Sequence, residues 1–154
     1  MNPQKKIDEL GIKIPDVAKP AASYVPYAVA DGFLYVSGQL PIENGEIKHK
    51  GIVGKNITLE QAKESAKQCA INLIACVKAA CNGDLSKLQK VLHLQVLVAS
   101  DSEFTSQHLV ANGASDLFVE IFGAEIGSHT RAAYGIASIP LNACVEIAGV
   151  FKIG

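Results

Sequence analysis

Arginine is almost missing from this chain of 154 residues. Lysine and arginine together number 14, and Arg131 is the only arginine among them. The formal net charge of -1 provides no global attraction for nucleic acid or anionic lipid. A single planar guanidinium in a lysine-rich chain is suited to recognising a carboxylate or a phosphate. A solvated or structural arginine is the alternative that composition leaves open.

Several motifs that carry well-known chemistry are also missing. The four histidines show no close helical spacing and form no Cys/His cluster, which argues against a metal site. Val36-Ser37-Gly38-Gln39 lacks the first glycine of a serine-hydrolase elbow. The chain contains no glycine-rich phosphate loop. We therefore expect neither a metal nor another cofactor.

The cysteines and the apolar runs bear on the cellular compartment. Cys69 and Cys76 lie on one predicted helix, roughly 10 Å apart along its axis, too far for a disulfide. With Cys81 and Cys144 they are expected to be buried thiols in a reducing environment. No run approaches the roughly 20 apolar residues of a membrane helix, and no apolar run follows the first lysines. We expect a cytoplasmic protein without a signal peptide.

Apolar periodicity predicts the element order β-β-(β)-α-β-α-β-β after a short N-terminal helix. The predicted helices span 2–11, 59–81 and 105–122, and the strands span 25–30, 33–37, 46–49 (weakly), 91–99, 132–138 and 144–152. This order predicts one α+β domain over 1–154, with residues 1–20 as an N-terminal extension. Helices on one face would leave the other face of the sheet uncovered, so we expect a homo-oligomer.

Two ionisable residues stand out in the last two predicted strands. Arg131 precedes one strand, and Glu146 lies inside an apolar run of the other. A glutamate in such a run is not expected to be fully buried unless it is paired. If the two strands pair through the turn at Pro140, the residues approach each other near one end of the sheet. They could then bind a carboxylate and orient or deprotonate a water, or form an internal salt bridge.

The sequence also resembles a known family. The resemblance lies in Tyr24-Val25-Pro26, Leu34-Tyr35-Val36-Ser37-Gly38-Gln39-Leu40-Pro41, Arg131-Ala132-Ala133, Ile139-Pro140 and Val145-Glu146-Ile147. From about residue 20 to its end, the chain resembles the YjgF/RidA family, also described as endoribonucleases of the L-PSP type. The resemblance implies a chorismate-mutase-like mixed β-sheet with two main helices packed on one face. It further implies a homotrimer with clefts between its subunits.

The resemblance also implies an activity and a set of site residues. The activity is the hydrolysis of reactive enamines and imines to 2-keto acids and ammonia. By position, Arg131 would clamp the substrate carboxylate and Glu146 would position the attacking water. The implied pocket residues are Tyr24, supplied across the subunit boundary, Ser37, Gly38 and Ala133. Such a reaction needs no metal and no covalent nucleophile, because an imine is already electrophilic and orientation suffices.

Three departures from the common family pattern indicate a longer, divergent branch. Ala148 stands where the pattern repeats an acid, and Ser128-His129-Thr130 stands where a proline usually precedes the arginine. The second helix carries the unusual segment 110–116, and the N-terminus is extended. A non-catalytic trimer that binds small carboxylates is therefore an alternative function. An endoribonuclease is disfavoured, because there is one arginine and no basic stripe interleaved with aromatics.

Overall fold

The computed structural model describes residues 2–154. Its helices and strands are α1 Pro3–Glu9, β1 Tyr27–Ala30, β2 Phe33–Gln39, β3 Ile42–Glu43, β4 Glu46–Ile47, α2 Leu59–Ala80, β5 Leu88–Ala99, α3 Gln107–Gly127, β6 Thr130–Ile136 and β7 Val145–Ile153. The predicted order of the main elements is confirmed. The weak strand is half of a separate two-stranded hairpin, β3–β4, with Asn44 and Gly45 at positive φ in its turn.

Five strands form one mixed sheet in the order β1-β2-β7-β5-β6. Only β5 and β6 run parallel, and α3 makes the crossover that joins them. The last two strands do not pair through the turn at Pro140, the arrangement that would have brought Arg131 and Glu146 together, because β5 lies between β6 and β7 and pairs with both. The turn after β6 instead carries the chain past the end of β5. Leu141 and Asn142 adopt positive φ there.

Helix α2 forms as its sequence signals indicate. Thr58 and Gln61 make a reciprocal capping box, with backbone-to-side-chain distances of 3.2 and 2.9 Å. Its apolar stripe, predicted at helical spacing, is buried at Ala62, Ala66, Cys69, Leu73 and Val77 and partly buried at Ala80. Asn82 and Gly83 follow the helix at positive φ, where the helical pattern stops.

Helix α3 is interrupted directly after residue 122, where the sequence predicts its end, and a second short helical piece follows. Gly123, the expected C-terminal stop, has φ 77° and ψ 164° and is a kink inside a helical segment that continues to Gly127. The helix packs closely on α2 at Gly113, where a Cβ would collide with the carbonyl of Lys63. A residue without a side chain at this position therefore lets the two helix backbones approach each other.

The two faces of the sheet differ in their cover. On one face, α2 and α3 bury a core to which β2, β5 and β7 contribute Leu34, Val36, Leu94, Val96, Val98, Ile147 and Phe151. On the other face most of the alternate side chains are solvent-exposed or half-buried, including Phe33, Tyr35 and Tyr134, while a small cluster around Ala99 at one end is buried. We call these the helix-covered face and the open face. The prediction of a mixed sheet with helices packed on one face is confirmed.

The cysteine prediction also holds. All four cysteines are buried thiols without disulfides. Burial raises the pKa of the Cys76 thiol to about 11 and the pKa of the Cys69 thiol well above its ordinary value. Among residues 2–154, no helix has the length and apolarity needed to cross a membrane.

Candidate active site

A β-bulge in β2 shapes the surroundings of Glu146. Strand β2 pairs regularly with β7 up to Val36 and resumes at Gln39, so Ser37 and Gly38 together face one residue of β7. A Cβ on Gly38 would lie 2.5 Å from Oε1 of Glu146. The glutamate side chain therefore occupies the room that the missing side chain leaves. This contact brings together two of the residues that sequence analysis predicts for the site.

Ser37 is tied into the local backbone. Its hydroxyl donates to the carbonyl oxygen of Val25 over 2.7 Å, and its backbone N–H donates to the carbonyl of Pro26 over 2.9 Å. Both bonds fasten the segment before β1 to the bulge. Ser37 thus positions the segment that carries Tyr24, and its hydroxyl proton is engaged in the hydrogen bond to Val25.

Glu146 is half-buried on the open face. It pairs in register with Leu97 of β5, and none of the salt bridges within residues 2–154 includes it. Burial raises the pKa of its carboxyl above the ordinary value, because desolvation disfavours the charged form. A carboxylate in this environment is a stronger base than a solvated one and is suited to accepting a proton from water.

Arg131 lies on the other face of the sheet. It pairs in register with Leu94, a fully buried residue of the helix-covered face, whereas Glu146 pairs with Leu97. Side chains alternate between faces along a strand, so residues aligned with positions 94 and 97 point to opposite sides. The internal Arg131–Glu146 salt bridge that sequence analysis leaves open is therefore not formed. One chain does not bring these two residues together.

The Arg131 guanidinium is bound by α3. Nη1 donates to Oδ1 of Asn112 and to Oγ of Ser115, and Nη2 donates to the carbonyl oxygen of His108, each over 2.9 Å. A guanidinium has five N–H donors. These three bonds saturate Nη1 and leave Nε–H and one Nη2–H for another acceptor.

The other two candidate residues lie apart from each other. Ala133, two residues after Arg131, shares its face and packs against the core. Tyr24 is half-exposed and lines a cleft of about 380 Å³, whose walls also include Gly38, Leu40 and Leu141. The structure thus gathers Tyr24, Ser37, Gly38 and Glu146 around the bulge, and it places Arg131 and Ala133 on the other side of the sheet.

Sequence analysis did not assign the residues that surround Arg131. His129 Nε2 lies 2.9 Å from Ser115 Oγ, and His129 Nδ1 lies 2.6 Å from the carbonyl oxygen of Gly127. Burial lowers the pKa of His129, and the positive charge of Arg131 adds to this effect. The available signal was that Asn112, Ser115 and His129 all fall in segments that depart from the family pattern.

No group of three or more His, Cys, Asp or Glu side chains arranged to hold a metal ion occurs within residues 2–154.

Comparison with known proteins identifies the family. Residues 4–151 match the model of the family described as "YjgF/chorismate mutase-like, putative endoribonuclease". Protein TCP17 of Trypanosoma cruzi is 40% identical over 147 residues, covering 96% of this chain and 91% of that protein.

Two solved structures share the fold along nearly the whole chain. Atu1372 of Agrobacterium tumefaciens, described as having unknown function, is 46% identical with a TM-score of 0.92, covering 99% of this chain and 92% of that one. A putative endoribonuclease from Shewanella oneidensis MR-1 is 27% identical with a TM-score of 0.94, covering 99% of this chain and 100% of that one. The chain belongs to the YjgF/chorismate mutase-like family.

Proposed function

We propose that this protein hydrolyses reactive 2-enamine and 2-imine acids to 2-keto acids and ammonia, at a cleft between the subunits of a homotrimer. The observation that carries the proposal is Glu146, a half-buried carboxylate with a raised pKa and no salt bridge within residues 2–154. In the reaction Glu146 accepts a proton from water while the water oxygen bonds to the imine carbon. That proton passes to nitrogen to give a carbinolamine; Glu146 then transfers the hydroxyl proton to nitrogen as the carbon–oxygen double bond forms, the carbon–nitrogen bond breaks, and ammonia leaves the 2-keto acid.

Arg131 supplies the binding half of the proposed site. Its Nε–H and one Nη2–H have no hydrogen-bond partner among residues 2–154, and a carboxylate can accept from both. Fixing the carboxylate also fixes the adjacent imine carbon relative to the water. Much of the acceleration in a reaction with an electrophilic substrate can come from such positioning.

The opposite placement of Arg131 and Glu146 supports an intersubunit site. If both residues act on one substrate molecule, they must come from different chains. A cyclic trimer meets this requirement, because each of its equivalent interfaces joins two different surfaces of the protomer. The open face, with its exposed Phe33, Tyr35 and Tyr134, is the apolar surface that such an assembly would cover.

The proposal is tested by generating 2-aminoacrylate with a dehydratase and following release of the keto acid. Arg131→Ala is expected to lower kcat/KM by about a hundredfold or more, since charge-assisted bonds to the carboxylate are lost. Arg131→Lys is the matched control for charge. It should recover only part of the activity, because a lysine ammonium lacks the planar fork. Full activity in Arg131→Ala would contradict the assignment of Arg131 as the clamp.

A non-catalytic trimer that binds small carboxylates is the second candidate. The three bonds from Arg131 to α3 favour it, because they preform an anion-binding group whether or not a reaction follows. Calorimetric binding of 2-ketobutyrate without accelerated imine hydrolysis would support this candidate. Cleavage of RNA, suggested by the similarity to the putative endoribonuclease of Shewanella oneidensis, is disfavoured by the single arginine and the net charge of -1.

A further inference from the structure

The surroundings of Arg131 form a chain of hydrogen bonds whose direction can be deduced. The Gly127 carbonyl can only accept, so His129 Nδ1, at 2.6 Å, carries a proton. In the neutral ring Nε2 is then an acceptor, and Ser115 must donate its hydroxyl proton to it. The lone pairs of Ser115 Oγ are thereby left for Arg131 Nη1. Each donor in this series of hydrogen bonds therefore has one defined acceptor.

This series of hydrogen bonds is anchored both in the hydrophobic core and by a backbone carbonyl. The His129 ring meets the fully buried ring of Phe118 edge-on, with centroids 6.1 Å apart. Ser115 sits on α3, three residues before Phe118 and on the same side of the helix. The packed imidazole therefore holds its acceptor Nε2 beside Ser115 and so orients the serine oxygen toward Arg131.

These contacts select which edge of the guanidinium stays available. The acceptors follow α3 in the order His108, Asn112 and Ser115, and they are bound by Nη2, Nη1 and Nη1 respectively. The edge formed by Nη1 and Nη2 therefore faces the helix. The edge formed by Nε and Nη2 faces away and offers two parallel donors to a carboxylate.

We propose that Ser115 and His129 are positioning residues that hold Arg131 with its Nε/Nη2 edge presented to the substrate carboxylate, with Asn112 as the second anchor of Nη1. This inference rests on the proposed function, because it specifies how the same arginine binds its ligand. The benefit is preorganisation: a long side chain on an edge strand otherwise loses rotamer freedom when it binds.

The test compares Ser115→Ala, Ser115→Thr and Ser128→Ala. Ser128 is the matched control, because it is exposed and lies near His129, and its hydroxyl makes no hydrogen bond within residues 2–154. We expect Ser115→Ala to raise both KM and the calorimetric Kd for 2-ketobutyrate by about tenfold or more, with kcat changed by less than about threefold. Ser115→Thr, which keeps the hydroxyl, should remain within about threefold of the parent, and Ser128→Ala should match it.

A second variant separates weakened ligand binding from a loss of folding stability. Asn112→Asp keeps an oxygen acceptor at the same place but adds a negative charge beside Arg131. It should leave the thermal transition near that of the parent and weaken 2-ketobutyrate binding more than Ser115→Ala does, because the added charge neutralises the guanidinium.

The outcomes separate this inference from the proposed function. Unchanged 2-ketobutyrate binding in Ser115→Ala would overturn the positioning role, whether or not the parent hydrolyses imines. Weakened binding in Ser115→Ala, together with a parent that hydrolyses no imine, would support the positioning role and overturn the deaminase. A parent that neither binds 2-ketobutyrate nor hydrolyses imines would overturn both.

Discussion

The two faces of the sheet differ in the contacts that a single chain provides to their charged residues. On the helix-covered face, Arg131 is bound by three groups of its own chain, and one of them, the Ser115 hydroxyl, is itself hydrogen-bonded to His129. On the open face, Glu146 is half-buried against Gly38 with no salt bridge within residues 2–154. One half of the candidate site is thus completed within a single chain, whereas the other half is only partly enclosed. This difference supports the proposal that another copy completes the second half.

Removing packing from the helix-covered face should have the largest effect on stability. Phe118 is fully buried, and its ring lies 5.8 Å from that of Phe151 and 6.2 Å from that of Phe122. We expect Phe118→Ala to lower the free energy of unfolding by about 3–5 kcal/mol, from lost apolar burial and the cavity that remains. Chemical denaturation measures this change.

Tyr35→Ala is the matched change on the open face. Tyr35 is 59% exposed, so its loss should cost the folded chain little, about 1 kcal/mol or less. Equal losses that do not depend on protein concentration would show that the open face is packed as tightly as the covered one within a single chain, contrary to the structure, whereas a concentration-dependent loss in Tyr35→Ala would come from the interface proposed for this face.

A smaller effect is expected where the bulge meets Glu146. In Gly38→Ala the new methyl group would collide with the glutamate side chain, whose Oε1, Cδ and Cγ are its three nearest neighbours. We expect a loss of about 1–3 kcal/mol in the free energy of unfolding. Gly38→Ala combined with Glu146→Ala should lose less than the two single variants added together, because the obstructing side chain is gone. Strict additivity would mean that Gly38 and Glu146 do not share this space.

The smallest effect concerns the charge on Glu146. Burial raises the pKa of Glu146 in the folded protein, so above that pKa the ionised carboxylate destabilises the fold. At low pH the carboxyl is protonated in both the folded and the unfolded state, and this destabilisation is absent. Glu146→Gln should therefore raise Tm slightly at pH 7, on the order of 1 °C given partial solvent screening. The gain should vanish below about pH 4. A lower Tm in the variant at pH 7 would instead reveal a stabilising cationic partner next to Glu146.

Patterns within short stretches predicted most of the fold. The capping box at Thr58 and the stripe from Ala62 to Val77 specify α2, because caps and helical periodicity are local signals. Strand pairing is not local. The turn at Pro140 looks like a hairpin, yet β5 lies between β6 and β7, because its apolar residues are buried when it is an inner strand of the sheet.

The candidate site was predictable in its residues but not in its arrangement. The lone Arg131 and the glutamate in an apolar strand are visible in the sequence, since each breaks a compositional trend. Their opposite faces follow from the register of β5 with its two neighbours, which no local pattern encodes. The support given by Ser115 and His129 depends on a contact between α3 and β6, and only their departure from the family pattern marked them.

Complementation between two inactive variants tests most directly whether the site is shared by two chains. Arg131→Ala and Glu146→Gln are each expected to lose nearly all imine hydrolysis as pure proteins. Co-assembled in equal amounts, they should recover about a quarter of the parent activity, since that share of interfaces joins an intact Arg131 to an intact Glu146 from another chain. Mixed oligomers, verified by native mass spectrometry, that are no more active than the pure variants would contradict the intersubunit site.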